Sequence, residues 1–407
     1  MKIVLTLAWR NLWRNRKRSL ISMSSVLFAV LLAITFNSME RGSYERMIES
    51  MVTYSTGYVQ IQDPLFEEEP SMDNALLFDE ELKEVVKQLS SPVDYWVPRI
   101  QNFALVATDE VTRGIMVMGV DPEKERRMNN LTDDLITGDF VATGDDGIVL
   151  AEGLASILKV TTGDTLTLLS QGFQGATAAG RFGVKGIIRM KVSEMNNNTI
   201  YMSLPAAQWF YMAEERLTSL VLMPHDPKRS RAIVEELNSK LDSDWYRALH
   251  WEELLKDLLT LMKFDTTSTL LMMLILYIVV GFGIFGTIIT MMIERQREFG
   301  MLISLGMKRS RLAMVCFFES LFISLTGAAA GMLLSVPLVL YFHHFPIRLT
   351  GEMADAIVDA GFEPVMPFSD NPQVIISQAL VVLVIAFLIG LYPIRKAYTL
   401  KIIDVKR

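Results

Sequence analysis

Thr266–Ile293 reads TTSTLLMMLILYIVVGFGIFGTIITMMI, a stretch without one charged residue. An α-helix rises about 1.5 Å per residue, so about twenty apolar residues cross the hydrocarbon core of a bilayer, and this segment is long enough to tilt or overrun it. Leu20–Met39 is also uncharged, Leu312–Phe342 is interrupted only by Glu319, and Asn371–Ile394 forms a further apolar block. Hydrocarbon offers no partner to a backbone N–H or C=O, so each block must satisfy its own as a helix. The expected fold is therefore an α-helical membrane protein with four transmembrane helices, one N-terminal and three C-terminal. A large α+β extracytoplasmic (periplasmic) domain is inserted between helices 1 and 2.

Orientation follows from the flanking cations. Lys2, Arg10, Arg14, Arg16, Lys17 and Arg18 precede the first block; Arg295, Arg297, Lys308, Arg309 and Arg311 lie between the second and third; Arg395, Lys396, Lys401, Lys406 and Arg407 follow the last. Between the third and fourth, Arg348 stands against Glu352, Asp355, Asp359, Glu363 and Asp370. Both termini are expected to be cytoplasmic. The expected order is a cytoplasmic amphipathic segment 1–18 lying on the inner surface with Trp9 and Trp13, helix 1 at 19–40, the external domain at 41–265 and helix 2 at 266–293. A cytoplasmic loop 294–311, helix 3 at 312–342, an external loop 343–370, helix 4 at 371–394 and a cytoplasmic tail 395–407 complete it. No small-x-small site follows the first block at Thr35–Arg41, which reads as an uncleaved anchor.

In the external domain Tyr58–Gln62, Ile115–Val120 and Thr165–Leu169 alternate as half-buried strands, and Asp79–Leu89 and Pro227–Leu241 carry helical spacing. Gly144–Gly147 and Thr162–Asp164 read as turns, and Gln171–Gly180, rich in Gly, Ala and Gln, as a mobile inserted loop. A net charge of -7 argues against a nucleic-acid partner, and the single cysteine, Cys316, forms no thiolate cluster. His225, His250, His343 and His344 lack metal-ligand spacing, and no Gly-x-Ser-x-Gly is present, so neither a metal site nor a catalytic centre is expected. Gly281–Gly286 matches a dinucleotide-binding glycine pattern but lies mid-span, where glycines let helices approach; Gly327 and Gly331 read the same way, and Pro337 as a kink. Glu319, ionisable inside a span, is expected to pair with a polar group on another helix.

The loop after the second block reads Glu294-Arg295-Gln296-Arg297-Glu298-Phe299-Gly300-Met301-Leu302-Ile303-Ser304-Leu305-Gly306-Met307-Lys308-Arg309-Ser310-Arg311. Charges at the end of a span lead into a brief apolar helix that stops at Leu305-Gly306, an element able to present a surface to a cytoplasmic partner. This order resembles the coupling region of FtsX/MacB-type ABC transporter permeases, whose pattern is Glu-Arg-x-Arg-Glu-Ile/Phe-Gly followed by Leu-Gly. Leu7–Leu12 with Arg14 and Arg18 resembles the family's opening. Gly153-Leu154-Ala155, Leu158, Gly163-Asp164, Phe182–Ile187 and Ile200–Gln208 resemble its external domain, and Tyr392–Ala397 its closing motif, with Ile402-Ile403 where a proline is usual. Trp251–Lys263 is most similar to the Lol lipoprotein-releasing permeases.

The resemblance implies a permease of the bacterial inner membrane that is not itself an enzyme; no Gly-x-x-x-x-Gly-Lys-Ser/Thr occurs in the chain. It implies two copies of a cytoplasmic P-loop ATPase that hold ATP and Mg, no cofactor on this chain, and a second permease, identical or related. It also implies contact with membrane lipid and a periplasmic lipoprotein carrier. The ATPase-coupling residues would be Glu294, Arg295, Arg297, Glu298, Phe299, Gly300, Leu305 and Gly306. The substrate cavity would lie between the first two spans, lined by Phe28, Leu31, Leu32, Phe36, Leu274, Ile278, Phe282 and Phe285. The expected function is extraction of lipoproteins for outer-membrane delivery. The alternatives are MacB-like efflux of a hydrophobic or peptide substrate, or FtsX-like mechanical activation of a periplasmic cell-wall hydrolase.

Overall fold

Charge ends a hydrocarbon crossing but does not end a helix. In the computed structural model, which describes all residues except Met1, Asn15, 90–92, 109–110, Lys191, Met353, 355–356, 358–363 and 400–407, the apolar blocks sit inside longer helices: Arg16–Met51, Lys256–Glu294, Arg309–His344 and Pro372–Thr399. The described residues thus contain 4 helices long and apolar enough to cross a membrane. The first continues past Met39 through charged turns stapled by Arg41–Glu45 at 3.2 Å and Arg46–Glu49 at 3.3 Å. Beyond residue 399 the expected tail lies outside the described residues, as do Asp355, Asp359 and Glu363 of the expected loop 343–370.

The chain divides into two compact units. One comprises Met1–Glu45, Leu261–Arg348 and Val365–Arg407; the other comprises Arg46–Thr260 with Leu349–Pro364. The external segment expected at 41–265 therefore corresponds to a slightly shorter stretch, and part of the loop 343–370 groups with it.

In the helical unit the core is Val26, Val30 and Ile34 of the first long helix against Ile284 and Ile288 of the second, Ala328 and Val339 of the third, and Ala379, Val382 and Ala386 of the fourth. Small residues set the closest approach. A Cβ on Gly327 would stand 2.7 Å from the Met23 carbonyl, and one on Gly331 would stand 2.8 Å from that of Leu27, so both glycines are notches into which the first helix fits. Of the mid-span glycines, a Cβ on Gly281 would lie 3.6 Å from Ile385 and Ile389, whereas one on Gly283 or Gly286 would have open space around it among the described residues. Ser38 Oγ donates to the Ser369 carbonyl at 2.6 Å, and His343 Nδ1 donates to that of Phe368 at 2.7 Å.

In the N-terminal helix Lys2–Arg14, buried Val4 and Ala8 pack with Val315, Phe318 and Phe322 of the third long helix. Trp9 meets Phe322 edge-on, ring centres 5.6 Å apart. Trp9 and Trp13 nevertheless remain 46% and 52% exposed, so the helix keeps an open aromatic face beside the one packed on protein.

The inserted unit is a mixed α+β domain with the strands β1 (Val59–Gln62), β2 (Leu76–Leu77), β3 (Val93–Ala107), β4 (Thr112–Val120), β5 (Leu135–Gly138), β6 (Ile148–Ala151), β7 (Thr165–Gln171), β8 (Thr177–Ile188), β9 (Thr199–Ser203), β10 (Arg216–Leu217), β11 (Ser219–Pro224) and β12 (Arg247–His250). Its 10-stranded sheet runs β12-β1-β11-β3-β4-β9-β6-β8-β5. Because β7 pairs both β3 and β8, the strands β3, β4, β9, β6, β8 and β7 close a ring. Ile100, Val106, Ile115, Val117, Leu166, Leu168, Phe182 and Ile200 fill its core. A second core forms where the helices Glu80–Lys87 and Ser230–Lys240 cover β1 and β11.

Two readings are corrected here. Gln171–Gly180 is no mobile insertion: it is the tip of the β7–β8 hairpin, with Leu169 opposite Ala179, Gln171 opposite Thr177 and a short turn at Phe173–Gly175 between. Its small residues suit a paired strand as well as a loop. In β1 the polar positions are also buried: Gln62 Nε2 donates to Gln60 Oε1 at 2.8 Å inside the domain, so the alternation there reflects paired glutamines rather than a wet face.

Candidate functional site

The loop between the second and third long helices folds as the helix Gln296–Ser304. Arg295 breaks the preceding helix at φ -96°, ψ 8°, and Gly306, at φ 94°, provides the left-handed turn that ends the element. The amides of Leu305, Gly306 and Met307 close on the carbonyls of Met301, Ile303 and Leu302, each at 3.0 Å.

This connecting helix has two faces. Inward, Phe299 packs with Met292, Leu312 and Cys316, with Leu302, Ile303 and Met307 beside it. Outward, at steps of four, stand Arg297, Met301 and Leu305; Met301 is 62% and Leu305 78% exposed. Of the residues expected to contact an ATPase, Arg297, Leu305 and Gly306 are therefore on the open side, with Glu294 and Glu298 at its margin. Arg295, Phe299 and Gly300 are buried in the bundle. Met301 was missed by sequence reasoning, although its spacing of four from Arg297 and Leu305 was there to find it.

What buries Arg295 is an ion-pair cluster. Its Nη1 donates to both oxygens of Glu319 at 2.8 Å, and its Nε reaches Glu298 Oε2 at 3.2 Å. Arg14 of the N-terminal helix also donates to Glu298, and Asn11 to Glu319. The Arg295 and Glu319 side chains are 9% and 4% exposed, so each needs the other: a buried charge without a partner costs several kcal/mol. Glu319 thus has the polar partner expected of it, although that partner sits in the loop rather than in a span. Burial by itself would lower the Arg295 pKa, but the Glu319 carboxylate and the bond to Glu298 hold it above the ordinary value. Burial raises that of Glu298, yet the bonds from Arg295 and Arg14 bring it below the usual carboxylate value. The cluster joins the connecting helix to the third long helix and to the N-terminal helix.

The residues expected to line a substrate cavity are spread out. Phe28, Leu32, Leu274, Ile278 and Phe282 are exposed on the outer faces of the first two long helices, and Leu31 and Phe36 are half-buried. Phe285 stacks edge-on against Tyr392 of the fourth, 4.9 Å between centres. A groove of about 350 Å³ does open between these helices, bordered by Ile21, Phe282, Gly283 and Gly286 with Arg295 and Glu319 at its polar end; of the eight, only Phe282 borders it.

Two family models match along the chain in this order. Residues 19–240, more than half of the chain, match the MacB-like periplasmic core domain, and residues 270–402 match the FtsX-like permease C-terminal region. The lipoprotein-releasing system transmembrane protein LolC of Neisseria meningitidis serogroup B (strain ATCC BAA-335 / MC58) is 23% identical over 250 residues; the match spans 59% of this chain and 59% of that relative's length. Among solved structures, the periplasmic region of MacB from Actinobacillus actinomycetemcomitans matches at a TM-score of 0.36 and 14% identity, over 52% of this chain and 97% of that one. The extracellular domain of the noncanonic ABC-type transporter YknZ from Gram-positive bacteria matches at 0.33 and 10%, over 47% and 99%. With over half of its length in the one domain and the permease region following it, the chain belongs to the FtsX/MacB-type permeases of ABC transporters.

Proposed function

We propose that this permease is the membrane subunit of a complex in which two copies of a separate P-loop ATPase, holding ATP and Mg, drive movement of the inserted domain. A second permease, identical or related, completes the complex. The observation that carries the reading is the two-faced connecting helix. Arg297, Met301 and Leu305 point outward, where an ATPase can grip them, while Phe299 and the Arg295–Glu319 pair bind the other face into the bundle. A push on the outer face then moves the third long helix and the N-terminal helix with it. The cation bias of the loops favours an inner-membrane protein with both termini inside and the inserted domain in the periplasm.

The cargo we favour is an inner-membrane lipoprotein, handed to a periplasmic carrier. The support is the lipoprotein-releasing relative and the apolar side chains Phe28, Leu32, Leu274, Ile278 and Phe282 open on the first two long helices, where acyl chains would exchange with membrane lipid. The test is gentle detergent purification from the native membrane with identification of what accompanies the chain. Met301→Glu/Leu305→Asp should lose the ATPase with the Tm unchanged. Retention of the ATPase by that variant, or its absence from the wild type, overturns the reading; co-purified lipoproteins support this cargo, and adaptor proteins or a cell-wall hydrolase in their place overturn it.

A further inference from the structure

The first long helix enters the inserted domain through a joint where its hydrogen bonding widens, the Gly57 amide closing on the Val52 carbonyl at 2.8 Å. After Met51 comes one turn of π-helix, Val52–Thr56, with Val52, Tyr54 and Thr56 buried; Gly57, at φ 63°, then turns the chain into β1. Carbonyls at a helix end have no partner within the helix and need one from elsewhere. For Ser55 the short bond comes from Arg99 of β3, whose Nη1 donates to its carbonyl, with Gln60 Nε2 at the longer 3.5 Å. The other arms of the same guanidinium grip Glu125, with Nε to Oε2 at 2.9 Å and Nη2 to Oε1 at 2.5 Å, and Asn129 Nδ2 holds Glu125 in place at 2.5 Å. Both charged side chains are 0% exposed.

The site is poorly arranged for stability alone. A buried ion pair is commonly replaceable by apolar side chains of like volume without loss, and the adjacent Tyr201 hydroxyl is buried with no hydrogen-bond partner among the described residues. It is well arranged for position: a planar fork with fixed donors bridges three elements at once. The lead into the second long helix is stitched to the same place, since Val59 of β1 pairs His250 of β12 and the Trp251 amide donates to the Tyr58 carbonyl at 3.1 Å.

We propose that Arg99, aimed by Glu125, is a positioning residue that makes the end of the first long helix and the sheet move as one body. Helix displacement thereby reaches the domain undiminished. The geometry stands alone; its use in ATP-driven work rests on the function proposed above.

The test uses the full chain with spin labels at Glu49→Cys and Ser243→Cys, both exposed positions in the inserted unit; the native Cys316 is buried. The wild type should give one narrow distance. Arg99→Met alone strands Glu125 and should lower the Tm, so the informative variant is Arg99→Met/Glu125→Met, which removes both charges. It should keep the wild-type Tm yet lose the single narrow distance, because Ser55 has lost its charged donor and keeps only the long bond from Gln60 Nε2 at 3.5 Å among the described residues. In liposomes with the partner ATPase, release of a fluorescent triacylated lipopeptide should fall about tenfold while basal ATP hydrolysis holds, a loss within the usual range of coupling between sites. A narrow distance in the double variant, or an unchanged release rate, overturns the proposal. If the wild type neither recruits an ATPase nor releases the lipopeptide, the function proposed above fails, and the distance measurement still decides the role of Arg99.

Discussion

Glu319→Leu removes the carboxylate that takes both Nη1 bonds of Arg295, and leaves an arginine side chain that is 9% exposed. Breaking a buried ion pair from one side costs about 3–5 kcal/mol. Glu298 remains 3.2 Å from Arg295 Nε, so the lower end applies and the expected loss is about 3 kcal/mol. Arg295→Met strands Glu319 instead, with Asn11 left to bond it, and should cost at least as much. Arg295→Met/Glu319→Leu removes both charges and fills their volume with apolar atoms, so it should lie far nearer the wild type than the two losses together. Glu298→Gln is the control: its side chain is 48% exposed, and an ion pair so hydrated is worth about 1 kcal/mol or less. The assay is equilibrium unfolding in mixed micelles of rising sodium dodecyl sulfate content, followed by tryptophan fluorescence and analysed as a double-mutant cycle. If the two single losses sum to the double within about 0.5 kcal/mol, the pair is not coupled and the reasoning about this cluster is refuted.

The other expectations can be read separately. Gly327→Val should prevent close packing of the first and third long helices, since its Cβ would stand 2.7 Å from the Met23 carbonyl, and the Tm should fall sharply; Gly283→Ala, with nothing within 4 Å, should leave the Tm of the isolated chain unchanged. His250, which bonds Ser230 Oγ at 2.9 Å and caps the next helix, is kept neutral mainly by burial, which holds its pKa below the ordinary imidazole value of about 6.5. The unfolded chain therefore takes up a proton that the folded one refuses, and stability should decline as pH falls through 6.5 toward the folded pKa. His250→Asn keeps a capping oxygen and should flatten that decline in a pH series of Tm measurements; an equally steep slope would show that another group titrates.

The helices were legible because hydrocarbon imposes one rule on every residue of a span: no charge along Thr266–Ile293 admits no other reading. The limits of the helices were not, because Glu40-Arg41 ends an apolar run without ending backbone hydrogen bonding. The connecting helix could be found from Glu294–Gly306, but its faces could not. Arg295 and Arg297 look alike in sequence, and only the third helix, which brings Glu319 to one of them, separates the buried cation from the outward one. The same holds for Arg99, a lone arginine in a strand until the fold delivers Glu125 and Ser55 to it. The β7–β8 hairpin was misread because Gly, Ala and Gln mark a loop only when no neighbouring strand pairs with them.

The notches at Gly327 and Gly331 also set an order of events during synthesis. Val26 and Val30, which lie against them, emerge from the ribosome before the whole inserted domain, and the glycines emerge after it. At the usual pace of about 5–20 residues per second, the first long helix waits on the order of ten seconds or more for its partners. During that time it is a lone helix whose Val26 and Val30 have no glycine notch to enter. The inserted domain must meanwhile form its ring of strands. Translation thus leaves an interval in which the first helix is open to capture by a membrane chaperone or to disposal by a membrane protease, and a slower ribosome would lengthen it.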